Sequence, residues 1–103
     1  MERYLIQILL PLSDNQGRPF AKAEYVRVRE KLTRQFGGLT AFTRSPAKGF
    51  WQEGSCTSHD DIVVFEVMVE VRDPVWWAKY RQELETSFRQ DSVVVRAQPI
   101  QFL

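Results

Sequence analysis

Two kinds of apolar spacing alternate along the chain, and their order leaves few folds open. Two segments carry the i, i+4, i+7 spacing of a helix with one buried side: residues 19–36 and a segment that starts at Asp73-Pro74. Four other segments are short and rich in β-branched and large apolar residues, which is typical of strands. The predicted strands are residues 3–10, 39–44, 61–71 and 92–98, the last of which could continue past Pro99 to Phe102.

The residues at the ends of the two predicted helices suit those positions. Pro19 fits the first turn of the first helix, where a missing N–H has no cost. Gly37 and Gly38 supply the left-handed conformation that ends this helix. Asp73 can cap the free N–H groups of the second helix, and Pro74 fits the next position. The buried side of the second helix is predicted to consist of Trp77, Tyr80, Leu84 and Phe88.

The resulting order, βαββαβ, predicts an α+β fold of the ferredoxin-like kind. In this topology an antiparallel four-stranded sheet of order 4-1-3-2 carries both helices on one face. The chain has 103 residues, the size of one domain, so residues 1–103 are predicted to form a single ferredoxin-like domain. Another two-layer α+β arrangement is the alternative.

Charge, cysteine content and the length of apolar runs narrow the function classes. The chain has 14 basic and 13 acidic residues, so it lacks the basic excess of nucleic-acid-binding proteins. Its one cysteine, Cys56, cannot form an internal disulfide, which fits a reducing compartment. No apolar run approaches the roughly 20 residues of a membrane span. We therefore expect a cytoplasmic protein with no nucleic-acid or membrane partner and, without a nucleotide-binding fingerprint, no cofactor.

Strand alternation assigns the side chains of the sheet to two faces, and the helices can cover only one of them. The second, which we call the open face, is half large apolar residues, too many for a solvated antiparallel face. A second copy of the chain is the simplest cover, so a homodimer through the open face is predicted. Alternatively, the C-terminal segment or the loop over residues 45–60 folds across it. The helix-covered face comprises Tyr4, Ile6, Ile8, Leu10, Val63, Phe65, Val67, Val69, Val71, Val93 and Val95, and the open face comprises Leu5, Gln7, Leu9, Thr40, Phe42, Arg44, Ile62, Val64, Glu66, Met68, Glu70, Val94, Arg96 and Gln98.

Several short motifs, together with the order of the segments, carry a resemblance to a known family. They are Tyr4-Leu5-Ile6, the turn Gly17-Arg18-Pro19-Phe20, residues 34–44, Trp51, Asp61-Ile62-Val63-Val64 and Trp76-Trp77. With these features the chain resembles the dimeric α+β-barrel superfamily, and within it a group of short uncharacterised bacterial proteins. The resemblance implies a homodimer with a site in a cleft between the sheet and the helices or loops. The superfamily includes haem-related enzymes, cofactor-free oxygenases, chlorite-processing enzymes and amino-acid-binding regulators, and no catalytic motif of this chain selects one of them.

Three polar residues lie near the middle of three strands on the open face: Gln7, Glu66 and Arg96. In the order 4-1-3-2, Gln7 lies between the other two, and a strand spacing of about 4.8 Å lets Glu66 and Arg96 meet across it. Buried charges need partners, so a connected network is expected if the face is covered. The network could be an anion-binding or proton-handling site inside the dimer. The structural interpretation, which we favour, is a polar lock that fixes the register of the dimer.

The segment between the second and third strands holds the other candidate site residues. His59, the single histidine, precedes Asp60 and could act as a general base, although a histidine in a polar loop is usually solvated. Without further nitrogen or sulfur ligands it predicts no metal site. Cys56 lies three residues earlier, but nearness in sequence does not bring a cysteine and a histidine together as a nucleophile and its base, so Cys56 is not predicted to be a nucleophile. Arg44 and Trp51 flank the loop and could clamp a carboxylate or planar ligand, or Trp51 could simply anchor the loop.

Two functions follow from these residues. The first is a non-catalytic dimeric module that binds a small molecule or a partner protein. The alternative is a cofactor-free enzyme, oxygenase-like or isomerase-like, that acts on a small organic acid, with His59 as base and Arg44 or Arg96 as anion clamp.

Overall fold

A computed structural model describes residues 3–44 and 62–103. Within these residues, strands and helices follow one another in the order βαββαβ, and the predicted α+β class is confirmed. The first helix carries its apolar residues on one side, and the second begins at Pro74 behind a capping aspartate. The elements are β1 (Arg3–Pro11), α1 (Lys22–Phe36), β2 (Thr40–Arg44), β3 (Ile62–Val69), α2 (Pro74–Ser87) and β4 (Val94–Ile100).

The strands form an antiparallel sheet of order β2-β3-β1-β4, which is compatible with the ferredoxin-like arrangement. β1 lies inside the sheet, paired with β3 on one side and β4 on the other. β4 is an edge strand and contains Pro99, opposite Tyr4. Proline is tolerated there because an edge strand has one side free of ladder hydrogen bonds. The last strand therefore does continue past Pro99, as far as Ile100.

The core lies between the helices and one face of the sheet. The predicted buried side of α2 is confirmed, and Phe88, just after the helix, is fully buried with it. α1 contributes Val28 and Leu32, while Tyr25 and Phe36 pack at the margin. The two consecutive tryptophans of α2 differ in burial. Trp77 is buried, whereas Trp76 is half-buried and packs against Phe36 and Tyr80. The sheet contributes Ile6, Ile8, Leu10, Phe65, Val67, Val69 and Val93 to the same core.

The predicted start of the first helix at Pro19 is wrong. Pro19 instead pairs with Ser13 in an isolated β-bridge, and α1 begins at Lys22. The cause is a tight turn, in which the Asp14 carboxylate accepts hydrogen bonds from the backbone N–H groups of Gln16 and Arg18. This turn is closed by a bond from the Phe20 N–H to the Leu12 carbonyl, which keeps the segment from joining the helix.

One residue differs from the face assignment, and another differs in its exposure. Val71 is predicted to lie under the helices, but β3 ends at Val69 and Val71 is 72% exposed. Val64 lies on the predicted open face, since its neighbour Phe65 belongs to the core under the helices, but it is only 1% exposed. The exposed apolar area of the open face is therefore smaller than alternation alone predicted.

Gly37 ends α1 in the left-handed conformation, with φ of 85°, and its N–H donates to the Thr33 carbonyl. A β-carbon at Gly37 would contact nothing within 4 Å, so its replacement costs backbone conformation alone. We expect Gly37→Ala to lower the free energy of unfolding by about 1 kcal/mol. Gly38→Ala is the matched control, since Gly38 has equal space and no positive φ. Chemical denaturation of both variants checks this, and equal losses would contradict it.

Candidate functional site

A hydrogen-bonded polar row crosses the open face of the sheet. The Gln7 Nε2 donates to Glu66 Oε2 over 2.6 Å, and the Arg96 Nε donates to Gln7 Oε1 over 2.8 Å. The strand register places Gln7 opposite both Glu66 and Arg96, and places Thr40 opposite Glu66 on the far side. The polar row therefore runs Thr40, Glu66, Gln7, Arg96 across the four strands, and hydrogen bonds join the last three of these side chains.

Gln7 is the residue that connects the two charges. Neighbouring strands are about 4.8 Å apart, so residues on β3 and β4 that flank β1 lie about 10 Å apart. The amide of Gln7 bridges the two charged groups, because it accepts from the Arg96 guanidinium and donates to the Glu66 carboxylate. The predicted meeting of Glu66 and Arg96 across Gln7 thus takes place through the amide, as a charge-assisted chain.

Burial differs along the polar row. Gln7 and Glu66 are half-buried, whereas Thr40 and Arg96 are exposed. Next to the row, Leu5 is half-buried and Met68, its partner across β1 and β3, is 53% exposed. An exposed methionine beside half-buried polar groups leaves a mixed surface that a partner could cover.

A small apolar cavity lies under β4, next to the polar row. It is open to solvent on one side and has a volume of about 150 Å³ between α2 and β4, and Arg96 is part of its wall. Trp77 also belongs to the wall, and its Nε1–H is buried without a hydrogen-bond partner in the described part of the chain. The remaining lining residues are Ile6, Arg72, Pro74, Val95 and Ala97.

A second charged cluster, which the sequence did not indicate, joins distant parts of the chain. The Asp14 carboxylate lies 3.5 Å from both Arg18 Nε and Arg89 Nη2. Hydrogen bonds from the backbone N–H of Arg18, aided by those from Gln16 and by the two guanidinium charges, hold the pKa of Asp14 below its usual value despite its desolvation. Arg89 also stacks over the Phe20 ring at 5.1 Å. These contacts organise the loop before α1, and we regard them as structural.

The described part of the chain does not include the side chains of the other candidate site residues from the sequence. Backbone pairing places Arg44 opposite Ile62, but its side chain lies outside the described part of the chain. Trp51, Cys56 and His59 also lie outside the described residues. The clamp formed by Arg44 and Trp51 and the base at His59 therefore stay predictions.

Within residues 3–44 and 62–103, no three His, Cys, Asp or Glu side chains are grouped so that they could hold a metal ion. In the same residues, neither helix has the length and apolar character needed to cross a membrane.

Comparison with known proteins finds no matching family model, no matching curated protein and no matching solved structure.

Proposed function

We propose that the protein is a non-catalytic binding module of the dimeric α+β-barrel kind, in which two copies of a ferredoxin-like domain pack through the open faces of their sheets. The observation that carries the proposal is the polar row, a connected chain of side chains on the sheet face opposite the helices. A chain of hydrogen bonds between two charges orders three side chains, Glu66, Gln7 and Arg96, which has an entropic cost. This entropic cost is best offset where a partner covers the face and excludes water from the hydrogen bonds.

The composition of the open face around the polar row supports a protein partner. Met68 and Val94 are exposed large apolar residues on this face, and Leu5 and Leu9 between them are half-buried. Methionine and arginine are enriched in protein interfaces, where a polar chain surrounded by apolar residues fixes orientation. A second copy of the chain is the partner we propose, because twofold pairing is the commonest form of association.

The cavity between α2 and β4 is the place we propose for a small-molecule ligand. Its walls are largely apolar, and Arg72, Trp77 and Arg96 are among the residues that line it. Ligand sites are typically apolar with a few polar groups that fix orientation. A small, largely apolar molecule fits this lining. The enzymatic alternative depends on His59, and no described contact favours it.

The substitution Met68→Lys tests whether a second copy of the chain covers the open face. Met68 is 53% exposed in the single chain, so a lysine there has little effect on folding, but a dimer through this face would bury the new charge. An uncompensated charge costs several kcal/mol, so we expect the dissociation constant of the dimer to rise at least about 100-fold. Size-exclusion chromatography with light scattering measures this change.

The matched control is Val75→Lys. Val75 is 81% exposed at the start of α2, in the helical layer on the other side of the sheet. The control should associate like the wild type. If Met68→Lys and Val75→Lys dimerise equally well, the open face is not the interface.

A further inference from the structure

The charges of the polar row are ordered, and this order points to the geometry of the dimer. Resting on the proposed homodimer, we infer that its twofold axis runs along β1 above Gln7, so that Arg96 of each copy pairs with the partner's Glu66. The described row has its carboxylate on β3, its amide on β1 and its guanidinium on β4. It is therefore positive on one side of Gln7 and negative on the other.

A twofold axis that relates two stacked sheets lies between them and is parallel to both. If the axis runs across the strands, β4 lies over the partner's β4 and β3 over its β3, so that Arg96 cannot face the partner's Glu66. When such an axis passes over the row, Arg96 faces the partner's Arg96 and Glu66 faces the partner's Glu66. If it runs along the strands, the row is reversed in the partner, and each Arg96 faces the partner's Glu66. Like charges in contact oppose association and opposite charges favour it, so the row selects the axis along the strands.

The position of the axis follows from the register. Glu66 and Arg96 are the direct cross-strand partners of Gln7 on its two sides, about one strand spacing away in each direction. Only an axis over β1 exchanges these two positions. An axis midway between β1 and β3 would instead set Arg96 opposite the partner's Thr40, which has no charge. Strands related by an axis along β1 run in similar directions, as in aligned sheet packings.

Inverting the charges one at a time tests this pairing. Arg96→Glu places two carboxylates in every contact of its homodimer, and Glu66→Arg places two guanidinium groups there. We expect each variant alone to associate at least about 100-fold more weakly than the wild type. In an equimolar mixture the carboxylate introduced at position 96 meets the guanidinium introduced at position 66 of the partner, so a heterodimer should form at least about tenfold more tightly than either homodimer. Native mass spectrometry separates the three dimers by mass.

The mixture distinguishes pairing between copies from the bonds within one copy. Both single variants lose the internal chain through Gln7, and mixing cannot restore it, so recovery in the mixture supports the inferred axis. The double variant Glu66→Arg/Arg96→Glu should form homodimers and should not pair with the wild type. Circular dichroism confirms that each variant is folded, and Glu66→Lys replaces Glu66→Arg if the latter does not fold.

A mixture that stays unpaired, while the wild type dimerises, overturns the inferred axis and leaves the proposed dimer standing. If each single variant dimerises as tightly as the wild type, the inferred axis is likewise overturned and the proposed dimer is kept. A wild type that is monomeric overturns the proposed function, and the inferred axis with it.

Discussion

Replacing Phe88 with alanine is expected to lower the free energy of unfolding by about 3–5 kcal/mol. Phe88 is 0% exposed and lies immediately after α2. Its ring packs edge-on against Phe20 at 5.1 Å and tilted against Tyr25 at 5.4 Å. The side chain thus joins the end of α2 to α1 and to the segment before α1, and its removal leaves a cavity that three separate segments would have to fill.

Domains of this size are stable by roughly 5–15 kcal/mol, so this single loss removes a large share of the total. Equilibrium unfolding in urea, followed by circular dichroism at one fixed protein concentration, measures the change, because association adds to the apparent stability. Val75→Ala in the same helix, at an 81% exposed position, is the control and should change stability by less than about 0.5 kcal/mol. A loss below about 1 kcal/mol for Phe88→Ala would show that this aromatic cluster is not packed as described.

Replacing Gln7 with leucine is expected to abolish dimer formation at micromolar concentration while leaving the single chain folded. The change removes both bonds of the polar row, one to Glu66 and one from Arg96. Hydrogen bonds to charged groups contribute about 1.5–3 kcal/mol each when water is excluded. In the single chain water can replace them, because Arg96 is exposed and Glu66 is half-buried. The loss therefore falls on association, and we expect the dissociation constant to rise at least about 100-fold.

Gln98→Leu is the matched control for Gln7→Leu. Gln98 lies two residues after Arg96 on the open face, opposite Leu5 and outside the polar row. The substitution is chemically the same and adds the same apolar surface. If association depends on the polar row, only Gln7→Leu weakens it. If both variants associate more strongly than the wild type, apolar area alone drives association and the polar row has no part in the interface.

Much of the fold could be predicted because local signals and tertiary packing agree. Asp73 and Pro74 start α2 as predicted, with the Trp76 N–H donating to the Asp73 carboxylate. The contact of Gln7 with Glu66 and Arg96 was also predictable, because strand order and residue position together fix which side chains are neighbours. In these cases the spacing of residues along the chain and the order of the strands are enough to determine where the helix begins and which side chains meet.

Other features depend on contacts that no local pattern contains. Pro19 suits a helix start, but the hydrogen bonds of Asp14 hold the chain in a turn at that point. Asp14 in turn contacts Arg89, 75 residues away in the sequence. The cavity beside Trp77 is equally non-local, because α2 and β4 form its walls.

The face assignment shows the limit of alternation. Strand periodicity gives the side of the sheet on which a residue lies, but not whether that position is covered. Val64 has the parity of the open face and is nevertheless 1% exposed, whereas Met68, of the same parity, is 53% exposed. The interface we propose is therefore centred on the polar row and on Met68, and not on the end of the sheet near Val64.

Sedimentation equilibrium of the wild-type protein at tens of micromolar decides whether two copies associate. The chain has a mass of 12.1 kDa. We expect a species of twice that mass, which dissociates on dilution and is lost in Met68→Lys and Gln7→Leu but kept in Val75→Lys and Gln98→Leu. A single species of 12.1 kDa at every concentration would contradict the homodimer and, with it, the proposed role of the open face.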